Sequence, residues 1–122
     1  MDEINSKQNL INYFEKGCKK ENQLSVGVEH EKFIFNNLTN QRVNFETVSK
    51  IFNFLEQFGW KPIKEKDYVI GLSRKGQSIT LEPGNQIELS GAKLNSIHLN
   101  CRESYKYLDE LRKACKKLNL KM

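Results

Sequence analysis

The sequence of 122 residues is short of several features that mark particular protein classes. No stretch approaches the roughly 20 consecutive apolar residues of a membrane span, so we expect no membrane partner. The polar start, Met-Asp-Glu-Ile-Asn, does not resemble a secretory signal. Its three cysteines form no Cys-x-x-Cys pair and are odd in number, which disfavours a disulfide framework. Free thiols are typical of a reducing compartment, and we therefore expect a cytoplasmic protein.

Motifs for nucleotide phosphates and for zinc are missing as well. The chain contains no GxxxxGK[ST] loop and no GxGxxG fingerprint. Neither its two histidines nor its cysteines have the spacing of a zinc site. Cys101 and Cys115 fall on one apolar helical stripe, so we expect both in the core.

Charge is unevenly distributed along the chain, whose formal net charge is +5. Residues 102–122 hold seven basic and three acidic side chains, so most of the excess belongs to the last segment. A basic stripe of this kind is typical of the solvated side of an amphipathic helix. The alternative is nucleic-acid binding, which would make affinity steeply salt-dependent.

The first half of the chain predicts a helix, a strand and a second helix. Apolar spacing predicts a helix over residues 6–17 with Ser6 as its N-cap. Residues 24–35 alternate and then become fully apolar, which predicts a strand covered on both faces at its end. The second helix has Asn44 as a cap and Gly59 as a terminator. Its stripe consists of Phe45, Val48, Ile51, Phe52 and Leu55.

The second half predicts a β-meander and a long helix. Alternation predicts strands over residues 68–73, 78–82 and 86–90, and apolar three- and four-residue steps predict a helix over 95–118. Pro62 suits only the beginning or the edge of a strand. With no repeat or linker, the chain is expected to form one α+β unit with an antiparallel or mixed sheet and flanking helices.

Carboxylates on these strands are expected to share one side of the sheet. Glu29 and Glu31 are two residues apart, so both project from one face, and Gly27 leaves room beside them. The full set on this face would be Glu29, Glu31, Glu82, Gln86, Glu88 and His98 at a nearby helix start. Clustered carboxylates repel one another, and a hard divalent cation offsets that repulsion.

A solvated sheet face decorated with glutamates is the simpler interpretation of the same pattern. In that case several glutamates would pair with Lys32, Arg74 or Lys75. His30 falls on the opposite face, where a buried, hydrogen-bonded histidine is expected in place of a metal ligand.

Two long segments resemble glutamate–cysteine ligases of the plant and proteobacterial type. Val26–Phe35 is similar to that family's opening strand, G-x-E-x-E-x-F. Ser78–Ala92 is similar to its second signature, S-I-T-L-E-P-G-G-Q-x-E-L-S-G-A. Asn85 stands where the family usually has Gly, and Asn tolerates the left-handed conformation, so we expect the turn to survive.

The resemblance implies an ATP-dependent carboxylate–amine ligase with a glutamine-synthetase-like catalytic domain. Such enzymes phosphorylate the γ-carboxylate of glutamate, and the amine of cysteine then displaces phosphate to give γ-glutamylcysteine, the first step towards glutathione. The implied cofactor is Mg²⁺ or Mn²⁺. Glu29, Glu31 and Glu82 would be catalytic and metal-binding, Glu88 would complete the metal face beside the substrate, and Gln86 would line the amino-acid pocket.

Members of that family are several times longer than this chain. The resemblance therefore leads us to expect that residues 1–122 are the N-terminal fragment of a ligase catalytic domain, inactive without the missing C-terminal portion. One alternative is a small regulatory or binding module. Another is one half of a split ligase that needs a partner chain.

Overall fold

The computed structural model describes residues 4–122 and is a mixed α+β structure. Its elements follow in chain order: α1 (Lys7–Gly17), β1 (Glu29–Lys32), β2 (Phe35–Asn36), α2 (Phe45–Leu55), β3 (Lys61–Glu65), β4 (Tyr68–Arg74), β5 (Gln77–Glu82), β6 (Gln86–Ser90), α3 (Ile97–Lys117) and β7 (Leu120–Lys121). None of the described helices is both long and apolar enough to cross a membrane.

An antiparallel sheet of five strands organises the structure, in the order β1-β6-β5-β4-β3. Strands β4 to β6 form the predicted meander, and β1 returns from earlier in the chain to pair with β6. Strand β3, which was not among the predicted strands, extends the meander by pairing with β4. Pro62 lies on β3, which is an edge strand, as its missing N–H requires. A separate two-stranded ladder joins β2 to β7.

The core lies between one face of the sheet and helices α2 and α3. Leu72, Ile79, Ile87 and Leu89 point into it from the sheet and are fully buried. Both helices bury a stripe against this face: Val48, Ile51, Phe52 and Leu55 from α2, and Tyr107, Leu111, Ala114 and Cys115 from α3. Helix α1, by contrast, buries none of its side chains.

The predicted N-caps of α1 and α2 and the glycine terminator of α2 are confirmed. Ser6 caps α1 by accepting a hydrogen bond from the Asn9 amide at 3.1 Å. Asn44 caps α2 through a 3.0 Å bond from the Thr47 amide to its Oδ1. A short 3₁₀ turn extends α2 before Gly59 stops it at φ +85°, a conformation that glycine adopts without strain.

A buried ion pair closes one end of the core. The Arg74 guanidinium on β4 donates to Glu110 Oε1 on α3 at 2.8 Å, and both side chains are almost fully buried. Trp60 Nε1 donates to the other Glu110 oxygen at 2.9 Å. Arg74 also donates to the carbonyl of Phe58 at 2.9 Å and stacks 4.0 Å from the Trp60 ring centroid. All of these polar groups are therefore paired where water is excluded.

The single strand expected over residues 24–35 is wrong. The chain makes an isolated bridge between Val26 and Leu94, enters the sheet at Glu29, and leaves it after Lys32. Ile34 turns into the core while Phe33 is 37% exposed, so this stretch is not covered on both faces. The departure occurs because Phe35 pairs with Lys121 in the second ladder.

The two cysteines of the last helix do not share one environment. Cys115 is buried, as expected, and burial raises the pKa of its thiol to about 11. Cys101 is exposed, which contradicts the prediction. Apart from Asn100, the buried side chains of α3 begin at Tyr107, so the first turns of the helix contribute little to the core.

A carboxylate-rich sheet face as the candidate active site

The register of β1, β6 and β5 places two glutamates directly opposite each other. Glu31 pairs with Glu88, and Glu88 pairs in turn with Thr80. Residues paired across antiparallel strands project from the same face, with Cα atoms roughly 4.5–5.5 Å apart. This row therefore crosses three strands on the side of the sheet opposite the core.

The rows on either side complete the face. Glu29 pairs with Ser90, and Glu82 pairs with Gln86 across the β5–β6 turn. The predicted placement is thus confirmed for one set, which we call the glutamate face: Glu29, Glu31, Glu82, Gln86 and Glu88. Glu29 and Glu31 are exposed, and the other three are half-buried.

Two hydroxyl side chains that sequence reasoning missed hold carboxylates on this face. Thr80 Oγ1 donates to Glu82 Oε1 at 2.9 Å, and Ser90 Oγ donates to Glu88 Oε1 at 3.0 Å. Each hydroxyl lies two residues from its glutamate on the same strand, and this period of two is the signal that could have found it. The two half-buried carboxylates are thereby oriented within the sheet.

The cations that the simpler interpretation would pair with these glutamates lie elsewhere. Lys32 pairs with Ile87, so it projects from the core side of the sheet, and Arg74 is bound to Glu110. Lys75 lies in the β4–β5 turn. Among the described residues, no ion pair reaches the glutamate face. The facing Glu31 and Glu88 carboxylates therefore repel each other without a side-chain counter-ion.

A cavity of 370 Å³ opens beside Glu29. Gly27 and Ser90 contribute to its wall together with two lysines, Lys19 and Lys93. A Cβ on Gly27 would come within 3.6 Å of the Gly91 carbonyl oxygen, so the missing side chain does leave the space that the sequence suggested. Glu29, Lys19 and Lys93 thus border one concave site.

The segment after β6 is anchored to α3 by a glutamate, a contact that the sequence did not suggest. Glu103 on α3 accepts the Ala92 amide through both carboxylate oxygens, at 3.1 and 3.2 Å. A Cβ on Gly91 would lie 3.0 Å from the Val28 carbonyl and still closer to the Glu103 carboxylate. A larger residue at this position would therefore displace the Glu103 carboxylate and crowd the Val28 carbonyl.

The turn between β5 and β6 keeps the expected shape although Asn85 stands where glycine is usual. Gly84 and Asn85 both have positive φ, +77° and +61°. The Asn85 side chain also donates to the Val43 carbonyl at 3.2 Å, an anchor that glycine lacks. Gln86 Nε2 donates to the Pro83 carbonyl at 3.3 Å, so this amide is folded back on the turn.

The two histidines lie away from the glutamate face. His30 projects from the opposite side, as predicted, but it is half-buried and has an edge contact with the Tyr107 ring at 6.3 Å where a hydrogen bond was expected. Burial, with the charge of Lys32, lowers the pKa of His30. His98 is exposed in the first turn of α3, on the helical side of the sheet, so its inclusion on this face was wrong.

The donor chemistry of the glutamate face fits a hard divalent cation. Carboxylate, amide and hydroxyl oxygens are the ligands that Mg²⁺ and Mn²⁺ prefer. Within residues 4–122, however, no three acidic, histidine or cysteine side chains converge closely enough to hold a metal ion by themselves. Any ion on this face would therefore need further ligands, such as phosphate oxygens.

Comparison with known proteins assigns most of this structure to one family model. The model described as glutamate-cysteine ligase family 2 (GCS2) matches residues 25–122, which includes every strand. The chain is 38% identical over 116 residues to a chloroplastic glutamate–cysteine ligase of Medicago truncatula, covering 94% of this chain and 23% of that protein.

Other relatives match the chain with similar identity and coverage. A chloroplastic glutamate–cysteine ligase of Arabidopsis thaliana is 35% identical over 94% of the chain, which is 22% of that protein. Glutamate–cysteine ligase A of Oryza sativa subsp. japonica, also chloroplastic, is 41% identical over 92% of the chain and 23% of its own length. The chain therefore spans less than a quarter of the curated relatives that it matches.

Proposed function

The chain belongs to glutamate–cysteine ligase family 2, and from that membership we propose that it carries the metal-binding face of an ATP-dependent carboxylate–amine ligase. The reaction joins the γ-carboxylate of glutamate to the amine of cysteine and gives γ-glutamylcysteine for glutathione synthesis. The observation that supports this most is the unneutralised Glu31–Glu88 pair, which lies in the segment that the family model matches.

Two bond exchanges make up the reaction. A γ-carboxylate oxygen of glutamate attacks the γ-phosphorus of ATP, the bond to the bridging oxygen breaks, and ADP leaves. The cysteine amine then attacks the acyl carbon of γ-glutamyl phosphate, loses a proton, and displaces phosphate. The first exchange brings two anions together, so it needs positive charge at the phosphate.

The residues of the glutamate face are suited to hold that charge. Glu29, Glu31, Glu82 and Glu88 would bind Mg²⁺ or Mn²⁺, and a divalent ion so held neutralises charge on phosphate oxygens. Glu29, Glu31 and Glu82 would act in phosphoryl transfer through this ion. Thr80 and Ser90 hold the Glu82 and Glu88 carboxylates in position.

Substrate recognition on this chain would lie at two places. Gln86 and Glu88 would contact the amino-acid substrate, for which Gln86 must turn its amide away from the Pro83 carbonyl. The cavity beside Glu29 offers the ammonium groups of Lys19 and Lys93 to an anionic group of glutamate or ATP.

The glutamate face is open on its outer side, and its residues supply only part of a metal coordination shell. We propose that polypeptide equivalent to the rest of the longer relatives covers this face and completes a glutamine-synthetase-like catalytic domain. The 122-residue chain by itself is then expected to bind a divalent ion weakly and to have no ligase activity. A cytoplasmic location, argued from the free thiols, stays a prediction.

Metal binding by the purified chain tests the proposal directly. Electron paramagnetic resonance of Mn²⁺ titrated with the chain, with and without ATP, should show bound ion that Glu31→Gln reduces at least tenfold. Glu65 lies on the edge strand at the other side of the sheet and has no carboxylate facing it. Glu65→Gln therefore removes the same charge and should bind Mn²⁺ like the unmodified chain. Equal Mn²⁺ binding by both variants would contradict the assignment.

Activity gives a second test. The chain alone, with ATP, Mg²⁺, glutamate and cysteine, should release no more phosphate than Glu29→Gln. Adding a polypeptide with the remaining part of the Medicago truncatula relative should restore γ-glutamylcysteine formation, and Glu29→Gln should abolish it. Phosphate release by the isolated chain above this control would overturn the expectation that it is inactive alone.

A further inference from the structure

The segment between β6 and α3, residues 91–96, begins where the ladder of the sheet ends. We call it the connector. Ser90 is the last residue of β6 with a paired strand on each side. The Ala92 amide, two residues later, donates to no backbone carbonyl of the described residues, and both oxygens of the Glu103 side chain accept it. Glu103 therefore supplies the acceptor that a neighbouring strand supplies within the sheet.

The 370 Å³ cavity described above takes part of its wall from the same stretch of chain. Ser90, Gly91 and Lys93 border this cavity, and Ala92 does not. Glu103 does not border it either. The residue that Glu103 binds is thus the one member of this stretch that a ligand in the cavity would not touch. Glu103 therefore holds the cavity wall from behind.

Glu103 is also packed closely against this wall. A Cβ built on Gly91 would overlap the Glu103 carboxylate, so the carboxylate lies against the Gly91 backbone. The Gly91 amide in turn donates to the Val28 carbonyl at 2.7 Å. Removing the carboxylate would leave the Ala92 amide without its acceptor and a gap beside a glycine, which has the greatest backbone freedom. We therefore expect the wall to loosen without Glu103.

The Glu103 carboxylate serves as a hydrogen-bond acceptor and has no counter-ion. It is half-buried, and in the part of the chain that the structure describes it forms no ion pair. A glutamine at this position keeps an oxygen that can accept the Ala92 amide, whereas an alanine removes it. The two substitutions therefore separate the hydrogen bond from the charge.

We propose that Glu103 is a positioning residue for the nucleotide: by fixing the connector it holds Lys93 beside Glu29, where the phosphates of ATP meet the glutamate face. The next residue is fixed as well, because Leu94 and Val26 exchange two backbone hydrogen bonds, at 2.7 and 2.9 Å. Anchors on both sides of Lys93 reduce the backbone entropy lost when an anion binds. This inference rests on the proposed function and adds to it a residue on α3.

The proposal predicts a difference between two affinities of the purified chain. Electron paramagnetic resonance measures the affinity for Mn²⁺ alone, which depends on the facing Glu31 and Glu88. Glu103→Ala should change this affinity less than about twofold, because it lies outside that pair. Equilibrium dialysis measures the affinity for the Mn²⁺–ATP complex, and Glu103→Ala should weaken it about tenfold. A merely structural role would lower both affinities together.

Two further variants serve as controls. Glu103→Gln should restore binding of Mn²⁺–ATP, since its amide oxygen accepts the Ala92 amide. Asp109→Ala removes one negative charge from the same helix and breaks only an exposed pair with Lys113, so it should bind both probes like the unmodified chain. Unchanged binding of Mn²⁺–ATP by Glu103→Ala would overturn the proposal. Equal weakening of both affinities would also overturn it, as would a failure of Glu103→Gln to restore binding.

Hydrogen exchange separates this inference from the proposed function. Glu103→Ala should speed the exchange of the Gly91 and Leu94 amides about fivefold, although neither donates to Glu103, and Glu103→Gln should not. Nuclear magnetic resonance of the metal-free chain measures these rates. Normal Mn²⁺ binding together with unchanged exchange in Glu103→Ala would overturn this inference alone. Absence of Mn²⁺ binding by the unmodified chain would overturn the proposed function and this inference with it.

Discussion

The two faces of the five-stranded sheet are built from alternate residues of the same strands, yet they meet opposite physical demands. On the core face, Ile79 and Ile87 are fully buried beneath α2 and α3. On the other face, Thr80 and Glu88, their immediate neighbours in sequence, remain accessible. One face buries apolar side chains beneath the helices, and the other keeps like charges close together.

Treatment of charge separates the faces most clearly. The Glu110 carboxylate on the core side has two protein donors, Trp60 and Arg74, one on each oxygen, in a dry environment. Glu31 faces Glu88 and has no cation beside it in the described residues. Charge on the core face is thus structural, whereas charge on the glutamate face is a cost to stability that only a ligand offsets.

Removing the buried carboxylate should have the largest effect. Glu110→Ala leaves the Arg74 charge buried without a partner, and we expect it to lower the free energy of unfolding by about 3–5 kcal/mol. Urea denaturation followed by Trp60 fluorescence measures this. Asp109→Ala, which removes an exposed carboxylate paired with Lys113 at 2.7 Å, should cost about 0.5 kcal/mol. Similar losses in both variants would show that the Arg74–Glu110 pair is not structural.

Neighbouring substitutions on β5 compare the faces directly. Ile79→Ala creates a cavity beneath the helices and should lower the free energy of unfolding by about 2–5 kcal/mol. Thr80→Ala removes a hydroxyl and one hydrogen bond to Glu82, at a cost of about 1 kcal/mol. Chemical denaturation of the two variants gives the difference. The assignment of faces fails if Thr80→Ala is the more damaging change.

Tyr107 is the exception within the core, and its replacement refines the comparison. Its hydroxyl is buried and has no hydrogen-bond partner among the described residues, so Tyr107→Phe should raise the free energy of unfolding by about 1 kcal/mol at pH 7. Burial raises the pKa of Tyr107 above its ordinary value of 10.0, and the nearby Cys115 and Glu88 charges add to this.

The folded state therefore retains a proton that the unfolded state releases, and stability should fall as the pH rises above about 10. Tyr107→Phe should remove this part of the decline. The part due to Cys115, whose pKa is raised from 9.0 to about 11, should persist. Melting temperatures between pH 7 and 11 test the prediction, which a parallel decline in both proteins would contradict.

Neutralising the glutamate face should have the smallest effect on stability. Glu31→Gln removes the repulsion from Glu88 and should raise the free energy of unfolding by up to about 1 kcal/mol at low salt. The gain should shrink at high salt, because screening already weakens the repulsion. Glu65→Gln should change stability less, since it faces Tyr68. Destabilisation by Glu31→Gln would place this carboxylate among the structural charges.

Local patterns in the sequence predict the sheet faces and most helix ends. Side chains alternate between the two faces along every strand. Glu29 and Glu31 could therefore be assigned to one face, and Glu82 to the face opposite Leu81, before any strand pairing was known. The caps at Ser6 and Asn44 are likewise local. These features depend on residues a few positions apart, and for that reason they could be predicted.

Features that depend on distant segments could not be predicted. The pairing of Glu31 with Glu88 joins segments 57 positions apart, and the early exit of β1 depends on β7. Cys101 and Cys115 share one stripe, but only the position of the sheet beneath α3 makes one exposed and the other buried. The Arg74–Glu110–Trp60 contacts also required the tertiary structure.

The three-residue turn Pro83–Asn85 determines more than the direction of the chain. It links Glu82 to Gln86 in register, and that register decides which β6 residues face each side. Surface loops usually tolerate insertions and deletions. Adding or deleting one residue here, however, would shift the register of β6 by one residue and turn each of its side chains to the other face. Ile87 and Leu89 would then face water, and Glu88 would enter the core. Among variants of this sequence, the length of this turn should therefore be under stronger selection than the identity of its residues.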